Sequence, residues 1–255
     1  MNKLLLLLLI PFAALANPID DQCPQHVLRG APVSPITANT QYLCKQNYAI
    51  HYRYDTKTAE YVVQHVTLQS ITGPAKRKDD FRADQAIPPE HRSLLSDYAG
   101  FPFDRGHLSP GADNTINDEI MSESFFLSNM VPQVPNHNRG IWKQLETYVR
   151  NWVQEGKDIY VASGTIYEPG YETIGANSVG IPTHMWKVIV DRKSSKSVAF
   201  LLPNAPLPVA DLPKYATSID AVEKATGINF MPKLTKAQES KLEKAVNLSD
   251  WSGLK

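Results

Sequence analysis

The chain has 255 residues, 42% hydrophobic and 20% charged, with 13 glycines and 19 prolines in no repeating register. That is the size and mix of one large globular domain or two small ones, and it excludes disordered, collagen-like and solenoid classes. Twenty-six basic side chains balance twenty-six acidic ones for a formal charge of +0, which argues against a protein that holds nucleic acid through bulk surface charge.

The first element in chain order is a targeting segment. One cation, Lys3, precedes the apolar run Leu4 to Ile10, and Pro11 to Ala16 closes with Ala14-Leu15-Ala16; residues 1–16 read as a secretory signal peptide. The run is too short for the roughly 20 residues of a membrane-spanning helix. The expectation is an exported chain, periplasmic or secreted, with no membrane partner. Cys23 and Cys44 are its only cysteines, and in an oxidising compartment they read as a disulfide that stabilises the fold by about 3 kcal/mol. Two separate buried thiols are the plainer alternative. Residues 17–47, rich in Pro, Asn and Thr, read as an extended arm held down by that bond.

Regular patterning then begins. Tyr48 to Tyr54 and Glu60 to Leu68 read as a β-hairpin, Gly73 to Gly100 as a charged loop, Phe101 to Leu108 as a short strand and Ser124 to Met130 as a buried strand. After Asn138, the spacing of Trp142, Leu145, Val149, Trp152 and Val153 predicts a helix that stops at Gly156. Ile159 to Ala162, Met185 to Val190 and Val198 to Leu202 read as core strands, separated by a loop from Glu168 to Pro182. Thr217 with Asp220, and Thr235 with Gln238, have the spacing of capping boxes that open short helices. No linker divides residues 48–255. The fold expected is α+β, a single domain with a central antiparallel sheet flanked by helices.

Two stretches concentrate chemistry. Asp104-Arg105-Gly106-His107 sets an acid, a cation and a flexible backbone position beside the side chain that titrates near neutrality. A plainer reading makes it a strand end in which Asp104 and Arg105 pair. Asn129 to Gln133 is followed by Asn138 and the helix bearing Glu146 and Arg150, which are one turn apart and can face one cleft. As an isolated feature, that pair is an ordinary surface ion pair and Asn138 an ordinary N-cap. The remaining histidines lack the spacing of a zinc site.

Taken with Arg77-Lys78-Asp79-Asp80-Phe81-Arg82-Ala83-Asp84, these stretches resemble the DNA/RNA non-specific endonuclease family, whose active site is a ββα-metal finger. The resemblance covers most of the mature chain. It implies His107 as general base, Asn138 as the direct protein ligand of Mg²⁺ (with Mn²⁺ as a substitute), and Glu146 as partner of the metal's waters. Arg77 and Arg150 become phosphate clamps, and Arg105 lines the substrate site. Arg82 competes with Arg77 for its role; Arg77 holds the family's position four residues before Phe81.

These residue types suit phosphodiester cleavage. A neutral imidazole can accept a proton from water, a contribution of about 10²- to 10⁴-fold, and a planar guanidinium matches phosphate oxygens. Mg²⁺ prefers oxygen and keeps several waters, which fits so sparse a ligand set. No groove-reading motif is present, so contacts should be to phosphate and sugar. The function expected is hydrolysis of DNA and RNA with little sequence preference and no obligatory protein partner. Its acid limb would lie near pH 6.5 if His107 is unperturbed. The alternatives are a catalytically inactive nucleic-acid-binding relative and a phosphodiesterase for small substrates.

Overall fold

A computed structural model describes residues 17–244 and 246–254; the targeting segment read at 1–16 lies outside the described residues. Helix α1 (Pro18–Gln22) leads to three strands, β1 (Thr40–Cys44), β2 (Ala49–Arg53) and β3 (Thr58–Val66). Short helices α2 (Leu68–Ile71) and α3 (Leu95–Tyr98) punctuate the charged loop that follows. Strand β4 (Asp104–His107), helix α4 (Asp118–Glu123) and strand β5 (Met130–Gln133) come next, then the long helix α5 (Lys143–Gln154). Beyond it lie β6 (Ile159–Ile166), β7 (Thr173–Ile174), β8 (Val179–Gly180), β9 (His184–Asp191), β10 (Lys196–Pro203) and β11 (Ala216–Thr217). Helices α6 (Ile219–Thr226) and α7 (Lys236–Leu242) complete the C-terminal part.

The strands rich in Val, Ile and Tyr assemble into one seven-stranded sheet in the order β1-β2-β3-β6-β9-β10-β11, each neighbouring pair antiparallel. The two-residue period sends alternate side chains to opposite faces. Val62, Val161 and Ile189 face one layer, where Trp142, Leu145, Val149 and Trp152 of the helical segment cover them. Val63, Ala162 and Val188 face the other, covered by Ile19 and Cys23 from the N-terminal arm and by Ile219, Val222 and Phe230. Both faces are therefore dry, and each large apolar side chain so buried contributes about 1.5–3 kcal/mol. The architecture is the α+β single domain with a central antiparallel sheet.

Locally the structure departs from the sequence pattern at several points. The hairpin forms with Ala49 opposite Val63, but the arm is more than an extended tie. It opens with α1 and ends as the edge strand β1, and the disulfide joins Cys23, just after α1, to Cys44 at the end of that strand. Ser124 to Met130 is not a strand. Asn129, fully buried, spends its side chain on the backbone of Ser109 and Ser124, so the segment turns and only Met130 enters β5. The Glu168–Pro182 loop contains the small β7–β8 ribbon. Thr235 does form the capping box expected of it, whereas α6 is capped by Ser218, one residue after Thr217.

The helix after Asn138 starts later than its periodicity suggests. Residues His137–Trp142 form a wide π-type turn with Gly140 at φ −104° and ψ −106°, and α5 begins at Lys143. It ends as expected before Gly156, whose φ of +92° suits a residue without Cβ.

Candidate active site

Strands β4 and β5 form their own antiparallel ribbon, with Asp104 opposite Gln133 and His107 opposite Met130, and α5 follows. This is a ββα unit set on the face of the main sheet that α5 covers. Gly106 is required by contact: a Cβ there would lie 1.9 Å from Gln133 Oε1. The Trp142 indole donates to the His107 carbonyl at 3.2 Å, which ties the ribbon to the start of the helix.

His107 is 7% exposed, its ring centroid 5.0 Å from Phe125 edge-on and 5.7 Å from Phe81. Its Nε2 is enclosed without a partner. Burial first, then the nearby Arg77 and Arg105 guanidinium groups, hold its pKa down to about 3. The ring is neutral throughout the neutral range.

Asp104 does not pair with Arg105. Its carboxylate accepts from Asn138 Nδ2 at 2.8 Å and from Arg139 through two bonds of 2.7 and 2.5 Å. These donors hold the Asp104 carboxyl below the usual range despite partial burial, which acts the other way. Fixing the amide nitrogen of Asn138 leaves Oδ1, which accepts nothing among the described residues, to the cleft. Asn138 is thus no helix cap. Arg105 lies with its guanidinium carbon 4.4 Å from the Phe81 ring centroid.

Glu146 and Arg150 share a helix face but form no ion pair. Arg150 is held instead by buried Asp113, at 3.0 Å, and by Thr147. Glu146 accepts no hydrogen bond among the described residues, and burial holds its carboxyl well above the usual range, partly offset by Lys187 and Arg150. Lys187, on β9, is 2% exposed; its Nζ lies 2.5 Å from Ser163 Oγ and 4.5 Å over the Trp142 ring. Burial lowers its pKa.

Arg77 is half-exposed, 2.6 Å from Asp79 and 5.0 Å over the Phe125 ring. Arg82 points elsewhere, bonded to Asp80 and the Ser122 carbonyl and lying over Phe126. Of the two loop arginines, only Arg77 reaches the cleft. His107, Asn138, Glu146, Arg77, Arg105 and Arg150 all line this one cavity of about 900 Å³. Arg139 and Lys143 also line it, although the sequence reading assigned them no role. Asp113 and Lys187 carry no sequence signal either, because their link to the site is made only by folding.

The donor set fits a hard divalent cation. The free oxygen of Asn138 and the unpaired carboxylate of Glu146 are oxygen ligands, and too few to replace a full hydration shell, which suits Mg²⁺. The cleft is basic and water-accessible and sets an enclosed neutral imidazole beside these oxygens, chemistry compatible with an anionic substrate and a hydrated cation.

Comparison with known proteins agrees. The DNA/RNA non-specific endonuclease family model matches residues 29–237, and the chain belongs to that family. It is 32% identical to the human protein named nuclease EXOG, mitochondrial, over 80% of this chain and 60% of that one. It is also 32% identical to human endonuclease G, mitochondrial, over 76% of this chain and 70% of that one. A nuclease of Nostoc sp. is 32% identical over 86% of this chain and 83% of its own length. The chain thus spans about three fifths of the EXOG sequence. Among solved structures, an EndoG/EndoGI complex described as showing the mechanism of EndoG inhibition contains a chain matching with a TM-score of 0.73 at 28% identity, over 80% of this chain and 90% of that one.

Proposed function

We propose that this protein is a Mg²⁺-dependent nuclease that hydrolyses phosphodiester bonds within DNA and RNA with little regard to sequence, the N-terminal arm being part of the nuclease domain because it supplies β1 to the main sheet. The observation that carries the reading is the convergence of His107, Asn138, Glu146 and three arginines on one cleft beside a ββα ribbon.

The neutral His107 ring takes the proton from the attacking water; its enclosure beside Arg77 and Arg105 opposes protonation before that step. Arg77 and Arg150 grip phosphate oxygens, Arg150 braced by Asp113 so that its fork is oriented before substrate arrives. Arg105 lies along the same wall. Asn138 and Glu146 would hold Mg²⁺ or Mn²⁺, Asn138 directly and Glu146 through its waters. When bound, the ion supplies positive charge to the phosphate and to the departing oxygen. Asp104 keeps Asn138 turned toward it. The cleft has no groove-reading element, so backbone contacts position the nucleic acid without selecting its sequence.

Export is part of the same proposal. The cysteine pair is bonded and leaves no free thiol, which suits an oxidising compartment. No described helix is long and apolar enough to cross a membrane. The relatives EXOG and endonuclease G are named as mitochondrial proteins.

The test is incubation of plasmid and of RNA with purified protein, with Mg²⁺ and with chelator. Both substrates should be cut only with metal, and His107→Ala should lose about 10²- to 10⁴-fold in rate while it remains folded by circular dichroism. Full activity in that variant or in chelator rejects the mechanism.

A further inference from the structure

On the opposite face of the sheet from the cleft, α6 places Asp220 in its first turn and Glu223 three residues later, on the same side. Glu243 follows the end of α7, and its carbonyl accepts from the Asp220 N–H at 3.1 Å, so the two helices meet there. One carboxylate oxygen from each of Asp220, Glu223 and Glu243 lies within 4.8 Å of the others. They border a cavity of about 460 Å³, with Glu239 beside them and Lys236 and Lys244 on its lining.

The second observation concerns Glu243 itself. Its side chain is 4% exposed, and Oε1 is enclosed with no hydrogen-bond partner. Among the described residues no ion pair engages any of the three carboxylates, although two lysines line the same cavity. Glu223 is the best oriented, its Oε1 accepting from the Phe230 N–H at 2.8 Å. Converging carboxylates with an enclosed, unpartnered oxygen need either a proton or a cation. Burial and the neighbouring Glu223, Glu239 and Asp220 push Glu243 up to about 7.

We propose that Asp220, Glu223 and Glu243 form a second divalent-cation site, suited to Ca²⁺, that fastens α6 to α7. Ca²⁺ takes oxygens at about 2.3–2.6 Å in flexible geometry, so its ligand oxygens can stand up to about 5 Å apart, and the three carboxylates fall within that reach. The ion's effect is on stability rather than catalysis: α6 carries Ile219 and Val222 into the core, so anchoring it secures that layer.

The experiment uses the full chain carrying Asn138→Ala, which weakens ion binding in the cleft. Calcium chloride is titrated in by calorimetry, and thermal unfolding is followed with calcium and with chelator. The expected result is one Ca²⁺ bound and a higher unfolding midpoint in calcium. Adding Glu243→Gln should weaken binding by about tenfold or more and raise the midpoint in chelator, because repulsion is relieved. Glu223→Gln provides the same reading should the Glu243 variant fold poorly. Absence of calcium binding, or binding that both substitutions leave unchanged, overturns the proposal. So does a stability gain from Glu243→Gln in chelator when the parent chain gains nothing from calcium, since Glu243 is then simply a protonated acid.

Discussion

Phe81 and Phe125 enclose the His107 ring while Arg77 and Arg105 add positive charge beside it, and both effects oppose protonation. The pKa of about 3 replaces the ordinary value near 6.5 expected from sequence alone. A base so depressed stays neutral from pH 8 to below pH 5, so an acid limb near 6.5 does not belong to this ring. An imidazole NMR titration of the metal-free protein should find no His107 transition between pH 8 and 5. The same shift affects folding: the unfolded ring gains its proton near 6.5 and the folded ring only near 3, so this contribution is full above the upper value and lost as pH falls between them. Asp104 acts through another residue. Asp104→Asn should weaken Mg²⁺ activation by about 10- to 100-fold, measured as the metal concentration giving half-maximal rate, while His107 keeps its titration. His107 and Asn138 stood out in the sequence because they sit in dense local motifs. Asp113 did not, since its bond to Arg150 crosses from a separate loop and no periodicity signals it.

At the level of elements, β4 and β5 are tied together by contacts that tolerate little change. Gly106→Ala drives a methyl into the Gln133 side chain, and overpacking of this kind costs about 1–3 kcal/mol. Its unfolding midpoint should drop, and its activity should drop further than stability alone explains, because His107 is the next residue. Helix α5 was legible from its apolar stripe, which is buried together with Trp142 just before it, and the core strands from their Val- and Ile-rich runs. The turn into α5 was not. Gly140 leaves helical geometry there, allowing Asn138 to reach Asp104 instead of capping. The Phe125-Phe126-Leu127 run looked like a strand for the same kind of reason: hydrophobicity marks burial, but the bonds of Asn129 determine the path of the chain.

Across the whole molecule, equal numbers of positive and negative charges hide an uneven distribution. Arg77, Arg105, Arg139, Lys143 and Arg150 line the cleft against Asp79, Asp104 and Glu146. Arg77, Arg139 and Arg150 each already have a carboxylate partner. Substrate affinity should therefore fall gently with salt, with a log–log slope matching about two to four phosphate contacts, as binding of a labelled duplex to His107→Ala would measure. A slope matching about six to ten contacts would place a basic face outside the cleft. The disulfide bears on the molecule in another way. The main sheet is open, its rims formed by the two-residue strand β11 and by β1. A rim strand exposes peptide groups able to recruit a second chain, and proteins suppress this by keeping such strands short or covered. Brevity protects the β11 side, whereas the β1 side has a longer strand with Cys44 bonded to the arm at its end. The cross-link thus adds a guard against self-association: reduction should loosen the arm where it meets β1, while the buried Ile19 still anchors it, and light scattering with and without reductant would register any gain in association.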